Sequence, residues 1–359
     1  MGAIRILLAL SVVLWHVRGQ HLRLLNASVA VLLFFVISGF YMALVINEKY
    51  ASSGPEWIRR FYLARFLRLY PLYAAMCAFM VFWYWFTGNP NVFTWRLPVS
   101  AGEQVALVLL NIGVFGQDLY ELMNHIGGEP VRSLFSKGFF NDGYMLVGQA
   151  WSLSPEIFFY SLAPLVVRSP ARIMALLVAS LSIRFAFLAA GWTSRFWGYW
   201  FFPSTMCLFA LGSLSYFLYR RVLDWRWSSP IGWCALAGMV TWMLTLSVMY
   251  GVALPVDATQ SLDQPRFWLA YLTFAALLPF VFCATRAVAI DRLIGDLSYP
   301  LYLVHGVVLG VIWNWMGRPQ DSIVFVAAAV AASILAAVGL RCAVELPAER
   351  RFNGAAVRA

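Results

Sequence analysis

Apolar residues run along this chain in stretches of about 17 to 22, each enough to cross a hydrocarbon core of roughly 30 Å. The stretches begin near residues 3, 27, 70, 150, 172, 200, 230, 267, 297 and 323. The pattern predicts an all-α, polytopic membrane helix bundle of about ten transmembrane helices, forming one domain over residues 1–359. The connections carry arginine: Arg59, Arg60, Arg65 and Arg68; Arg168 and Arg172; Arg220, Arg221 and Arg226; Arg286 and Arg292; and Arg341, Arg350, Arg351 and Arg358. Every cluster falls in an even-numbered connection or in the C-terminal tail if both termini are cytoplasmic, the orientation favoured by the positive-inside rule.

One stretch breaks the pattern. "EQVALVLLNIGVFG", 103 to 116, is too short to span and would reverse every later segment if it did. It is expected as an interfacial or re-entrant piece of a long outer loop, 88–148. That loop also contains "NHIGGEPVRSLFSKGFFNDG", with Gly and Pro punctuation and an acidic excess from 117 onward that suits a non-cytoplasmic surface. Loops of this length are often functional.

Composition supports the membrane reading. Apolar residues make up 62% of the chain and charged ones 12%, with a mean hydropathy of +0.74, whereas soluble domains carry about a quarter charged residues. A cleavable signal peptide is not expected, because the first apolar run is long enough to span and no small-residue cleavage site ends it. The net charge of +10 is almost all arginine, Lys49 and Lys137 being the only lysines. The positive-inside rule explains that excess without a nucleic-acid partner. Cys77, Cys207, Cys234, Cys283 and Cys342 lie scattered in apolar segments, so neither a disulfide nor a metal site is inferred.

Ionisable groups inside apolar segments are the candidates for chemistry, because they are costly there and usually face a cavity or a partner. "IRILLALSVVLWHV" places Arg5 and His16 eleven residues apart, on one helix face and about 16 Å apart along the axis. The pair reads either as the lining of one pore or as a cytoplasmic anchor and a packed histidine. "QAWSLSPEIFFYSLAPL", 149 to 165, buries Glu156 about two turns below its outer start. His16 is expected at a similar depth, so Glu156 is expected to bond one imidazole nitrogen and leave the other basic, the arrangement that deprotonates an alcohol. A structural bridge between helices is the alternative. "RRFYLARFLRLYPLY" sets Arg65 and Arg68 one turn apart, as a topology signal or as forks for phosphate oxygens. "GDLSYPLYLVH" brings Tyr299, Tyr302 and His305 into the ninth span, for packing or pore lining. "FFVISGFYM" carries Ser38 and Gly39, small residues that permit close helix approach.

Arg5 with His16 ten residues beyond it, "FFVISGF", "FYLARFLRLYPLY", "WSLSPEIFFY", "LSYPLYLVH" and a closing "VELPAERRF" form an ordered set over nearly the whole chain. That set resembles the acyltransferase-3 family of integral membrane acyltransferases, which modify bacterial cell-surface glycans and some secreted molecules. The resemblance implies an acyl-CoA co-substrate, commonly acetyl-CoA, used from the cytoplasm, no permanently bound cofactor, and a bacterial inner-membrane location. It implies that Arg5 and His16 are essential, with His16 catalytic. Trp151, Glu156 and Tyr160 match the family's tryptophan-glutamate-tyrosine motif, and Arg65 and Arg68 its basic motif. The position after Glu156, often acidic in relatives, is Ile157 here, and Pro155 stands where Val is common, so any carboxylate role falls on Glu156 alone. A fused extracytoplasmic esterase-like domain is not expected, since the chain ends soon after the tenth span.

The resulting expectation is O-acylation of a glycan or lipid-linked glycan. Arg5, Arg65 and Arg68 receive the donor, His16 and Glu156 act as base and support, and Ser38, Trp151, Tyr160, Tyr302 and His305 shape the site. A transporter or flippase for a lipid-linked glycan is the rival reading, since buried charges also mark translocation paths. A purely structural scaffold ranks third.

Overall fold

The computed structural model describes residues 1–17, 24–87, 101–118, 145–191, 195–250, 263–316 and 322–351, and these are helical with no strand. In chain order the helices are α1 (Gly2–His16), α2 (Ala27–Val45), α3 (Trp57–Thr87), α4 (Ala101–Gly113), α5 (Leu153–Val166), α6 (Pro170–Ala189) and α7 (Arg195–Tyr199). They continue as α8 (Phe202–Val222), α9 (Ser228–Tyr250), α10 (Pro265–Thr285), α11 (Ala289–Asp296), α12 (Ser298–Trp315) and α13 (Ile323–Leu340). A π-helical turn, Ile46–Tyr50, extends α2, and another, Arg341–Glu345, extends α13.

All ten predicted spans are helical, and seven of the described helices are long and apolar enough to cross a membrane. Among the other three, α1 has only 15 residues and α5 only 14, although the 3₁₀ turn Gly148–Ser152 adds to its start. The bundle presents apolar side chains outward, including Leu165, Val178, Phe185, Leu269 and Leu335, as a lipid-facing surface requires. Trp85 and Trp315 stand exposed at helix ends, where amphipathic rings favour the membrane boundary.

Helix α2 is central. It packs most extensively on α8, while α1 lies against α2, α11 and α12. The α2–α8 crossing is a backbone contact made possible by glycine on both sides. A Cβ on Gly39 would lie 2.0 Å from the Phe209 carbonyl oxygen, and one on Gly212 would lie 1.8 Å from that of Val36. Ser213 Oγ then donates across the crossing to the Gly39 carbonyl at 3.1 Å. Such small-residue contacts let membrane helices gain packing without a hydrophobic driving force between them.

The awkward segment folds as α4, a 13-residue helix whose Val105, Leu109 and Ile112 face outward. At about 1.5 Å per residue it reaches roughly 20 Å, too short to span. Its end turns back onto α5: Gly116 N donates to Ser154 Oγ at 2.8 Å, Leu146 N donates to Asn111 Oδ1 at 2.7 Å, and Asn111, Gln117 and Asp118 are buried. The helix thus has an apolar outer face and a polar buried end. The loop segment "NHIGGEPVRSLFSKGFFNDG" and Arg358 lie outside the described residues.

Candidate active site

A cavity of about 470 Å³ opens between α1, α2, α3, α5, α11 and α12. Its wall brings together Arg5, Arg65, Arg68, Ser38, Glu156, Tyr160 and Tyr302, seven of the ten residues singled out from the sequence. His16, His305 and Trp151 are not on that wall.

Glu156 lies one turn before Tyr160 on α5, so the Tyr160 hydroxyl reaches back and donates to Glu156 Oε1. Ser38 Oγ, from α2, donates to the same oxygen at 2.7 Å. Glu156 also acts electrostatically on Arg5, which rests its guanidinium 5.9 Å from the Tyr41 ring. The arginine is placed by the start of α1. Asp291, on α11, accepts from the backbone N–H of Gly2 at 2.7 Å and of Ala3 at 2.8 Å, so one carboxylate satisfies donors that a helix start leaves unpaired.

The histidines form a second layer. The His16 and His305 rings lie 5.1 Å apart, centroid to centroid. His16 Nδ1 is 2.8 Å from the Val12 carbonyl oxygen, and His305 Nδ1 is 2.6 Å from that of Tyr302. A carbonyl oxygen only accepts, so each Nδ1 carries the proton and each Nε2 is the basic nitrogen of the neutral ring. His305 Nε2 is buried with no hydrogen-bond partner among the described residues. The tautomer of His16 is therefore set by its own helix, four residues back. The expected role for Glu156 at that nitrogen gives way to hydrogen bonds from Ser38 and Tyr160.

Tyr302 connects the layers. It stands on the cavity wall, its ring is 5.9 Å from that of His305, and its hydroxyl donates to the Gln149 carbonyl at 2.9 Å and lies 2.8 Å from Ser152 Oγ. Arg5 stands on the cavity wall, whereas His16 is linked to it through the His305 and Tyr302 rings. Trp151 is 5% exposed and packs edge-to-face on Tyr199, at 4.6 Å, and against Trp200, at 4.0 Å, in the turn that feeds α5.

The basic motif divides. Arg68 Nη1 lies 2.8 Å from Glu345 and 3.1 Å from Glu349, and its Nη2 is 3.9 Å from Asp296. Arg65 has a buried Nε without a hydrogen-bond partner. Sequence reasoning did not assign a role to Asp296, Glu345 or Glu349, although "GDLSYPLYLVH" and "VELPAERRF" contain them. It also passed over a buried pair away from the cavity: Arg184, 3% exposed, holds Asp263 at 2.7 Å and donates to the Ser204 carbonyl at 2.9 Å.

The comparison with protein families adds the decisive observation: the family model described as an acyltransferase domain matches residues 1–342. The chain belongs to the acyltransferase-3 family. With its apolar helices it is a multi-pass membrane protein that fits a membrane acyltransferase. No curated protein and no solved structure matches it. In this acyltransferase-3 protein, the match takes in the histidine layer and every residue of the cavity wall except Glu349.

Proposed function

We propose that the protein is an O-acyltransferase that moves an acyl group, acetyl in the first instance, from cytosolic acyl-CoA to a hydroxyl of a cell-surface or exported glycan. The observation that carries this reading is a cavity whose wall holds Arg5, Arg65 and Arg68 together with Tyr302, whose ring lies 5.9 Å from that of His305, which in turn lies 5.1 Å from that of His16.

The chemistry follows from charge and tautomer. Phosphates cannot enter an apolar core cheaply, so the nucleotide end of the donor stays at the arginine-lined mouth while its pantetheine arm passes Arg5 toward Tyr302. His16 holds its proton on Nδ1 against the Val12 carbonyl, which leaves Nε2 to take the proton of the acceptor hydroxyl. The oxygen then attacks the thioester carbonyl, the C–S bond breaks, and the imidazolium returns its proton to the CoA thiolate. Glu156, held by two hydroxyls, supplies fixed negative charge that favours the cationic ring in the transition state.

The arginine clusters support a cytoplasmic mouth under the positive-inside rule, and on this reading both termini lie in the cytoplasm of a bacterial inner-membrane protein. The acceptor then approaches His16 from the opposite face.

The test is stoichiometry. Full-length protein supplied with labelled acetyl-CoA and a lipid-linked glycan should release one free CoA for each acetyl group found on the acceptor. Movement of the glycan without CoA release would point instead to a flippase.

A further inference from the structure

The arginines at the mouth are not equivalent. Arg68 and Arg341 share three carboxylates: Glu345 and Glu349 lie 2.8 and 3.1 Å from Arg68, Asp296 lies 2.7 Å from Arg341 and 3.9 Å from Arg68, and Glu345 is 3.5 Å from Arg341. Two positive and three negative groups leave this set one negative charge in excess. It joins α3, the end of α11 and the turn that extends α13, and Glu345 within it is buried. Arg65 and Arg292 stand on the same cavity wall, and among the described residues no carboxylate lies within 4 Å of either. Arg65 has its unpartnered Nε, and Arg292 is exposed.

We propose that the phosphate-bearing end of acyl-CoA is received by Arg65 and Arg292, and that Arg68 is a positioning residue that ties α3 to α11 and the C-terminal helical turns. The proposal rests on the acyl-CoA reading above. A polyanion drawn to Arg68 would meet three carboxylates already there, and like charges at that range repel. Arg65 and Arg292 offer guanidinium forks that no carboxylate among the described residues pairs within 4 Å, the arrangement suited to phosphate oxygens. Glu349 belongs to both the ion-pair set and the cavity wall, so it opposes the incoming phosphates and holds donor affinity down. Arg292 thereby becomes a donor-binding residue supplied by α11, opposite the basic motif on α3.

The experiment measures binding of coenzyme A, and separately of adenosine 3′,5′-bisphosphate, to the full-length protein in detergent. A charged hydrogen bond contributes about 1.5–3 kcal/mol, so Arg65→Ala and Arg292→Ala should each weaken coenzyme A about tenfold or more. Glu349→Gln should tighten it several-fold, roughly the effect of removing one nearby like charge. Arg68→Ala should lower the melting temperature and kcat while the folded fraction keeps its KM for acyl-CoA, and Arg68→Lys should recover most of the melting temperature. Loss of coenzyme A binding in Arg68→Lys, with Arg65→Ala and Arg292→Ala binding normally, would overturn the proposal and leave the acyl-CoA reading intact. Wild-type protein that binds neither probe would remove that reading and the proposal with it.

Discussion

Ser38 Oγ donates to Glu156 Oε1 at 2.7 Å, joining α2 to α5 across the cavity, and Tyr160 donates to the same oxygen. Two hydroxyls from different helices thus converge on one oxygen of this carboxylate. Glu156→Gln keeps the shape and removes the charge, so kcat should fall at least about a hundredfold if the fixed charge stabilises the transition state. Ser38→Ala removes one of two donors and should cost about tenfold, within the range of a hydrogen bond to a charged group. Wild-type rates in Glu156→Gln at equal expression would remove Glu156 from the mechanism.

His16 and His305 should separate in their effects. His16→Gln retains a hydrogen-bonding side chain but no basic nitrogen, so acyl transfer should be abolished while coenzyme A binding persists. His305 packs on the His16 ring and so positions it. His305→Ala should lower kcat with little change in KM for acyl-CoA, and His305→Asn, which can still donate to the Tyr302 carbonyl, should recover part of the loss. Steady-state kinetics on both substrates distinguishes these outcomes.

The α2–α8 crossing tolerates no side chain at Gly39. A Cβ there would stand 2.0 Å from the Phe209 carbonyl oxygen, so the helices must move apart, which costs more than the 1–3 kcal/mol or so typical of an overpacked core. Gly39→Val should lower the melting temperature by several degrees and reduce activity, because Ser38 moves with the same backbone. A variant that melts and turns over like the wild type would show that the crossing is loose.

Arg184 and Asp263 form a buried pair remote from the cavity. Asp263→Asn leaves a buried guanidinium without its counter-charge, and breaking such pairs costs about 3–5 kcal/mol. Thermal stability should drop sharply, and replacing both partners with Arg184→Met and Asp263→Leu should drop it less. KM for acyl-CoA should not change in the fraction that remains folded.

Hydropathy made the helices legible, since a bilayer forces each span to be long and apolar. It also marked α4 as too short. The Glu156–Tyr160 contact was open to reading because four residues make one helical turn. So was the tautomer of His16, since Val12 stands one turn before it on the same helix. The ion pairs were not legible. Arg68 and Glu345 lie 277 positions apart in the chain (345 minus 68), and no periodicity links them. Charge counting marked Arg68 as a cation and left its neutralising carboxylates unseen, because their positions depend on how α13 and its π-helical turn return to α3. Arg292 was grouped with orientation signals for the same reason. Depth alone made Glu156 a partner for His16, whereas the helix faces turn it toward Ser38.

On the proposed mechanism, donor and acceptor reach the protein from opposite faces of the membrane. Protein reconstituted in sealed vesicles of one known orientation allows acetyl-CoA to be supplied to either side while acceptor acetylation is followed by mass spectrometry. Acetylation should occur only when acetyl-CoA is on the side bearing Arg65 and Arg292, with the modified hydroxyl on the other. Equal use of acetyl-CoA from both sides, or a product confined to the donor's side, would contradict transfer across the membrane.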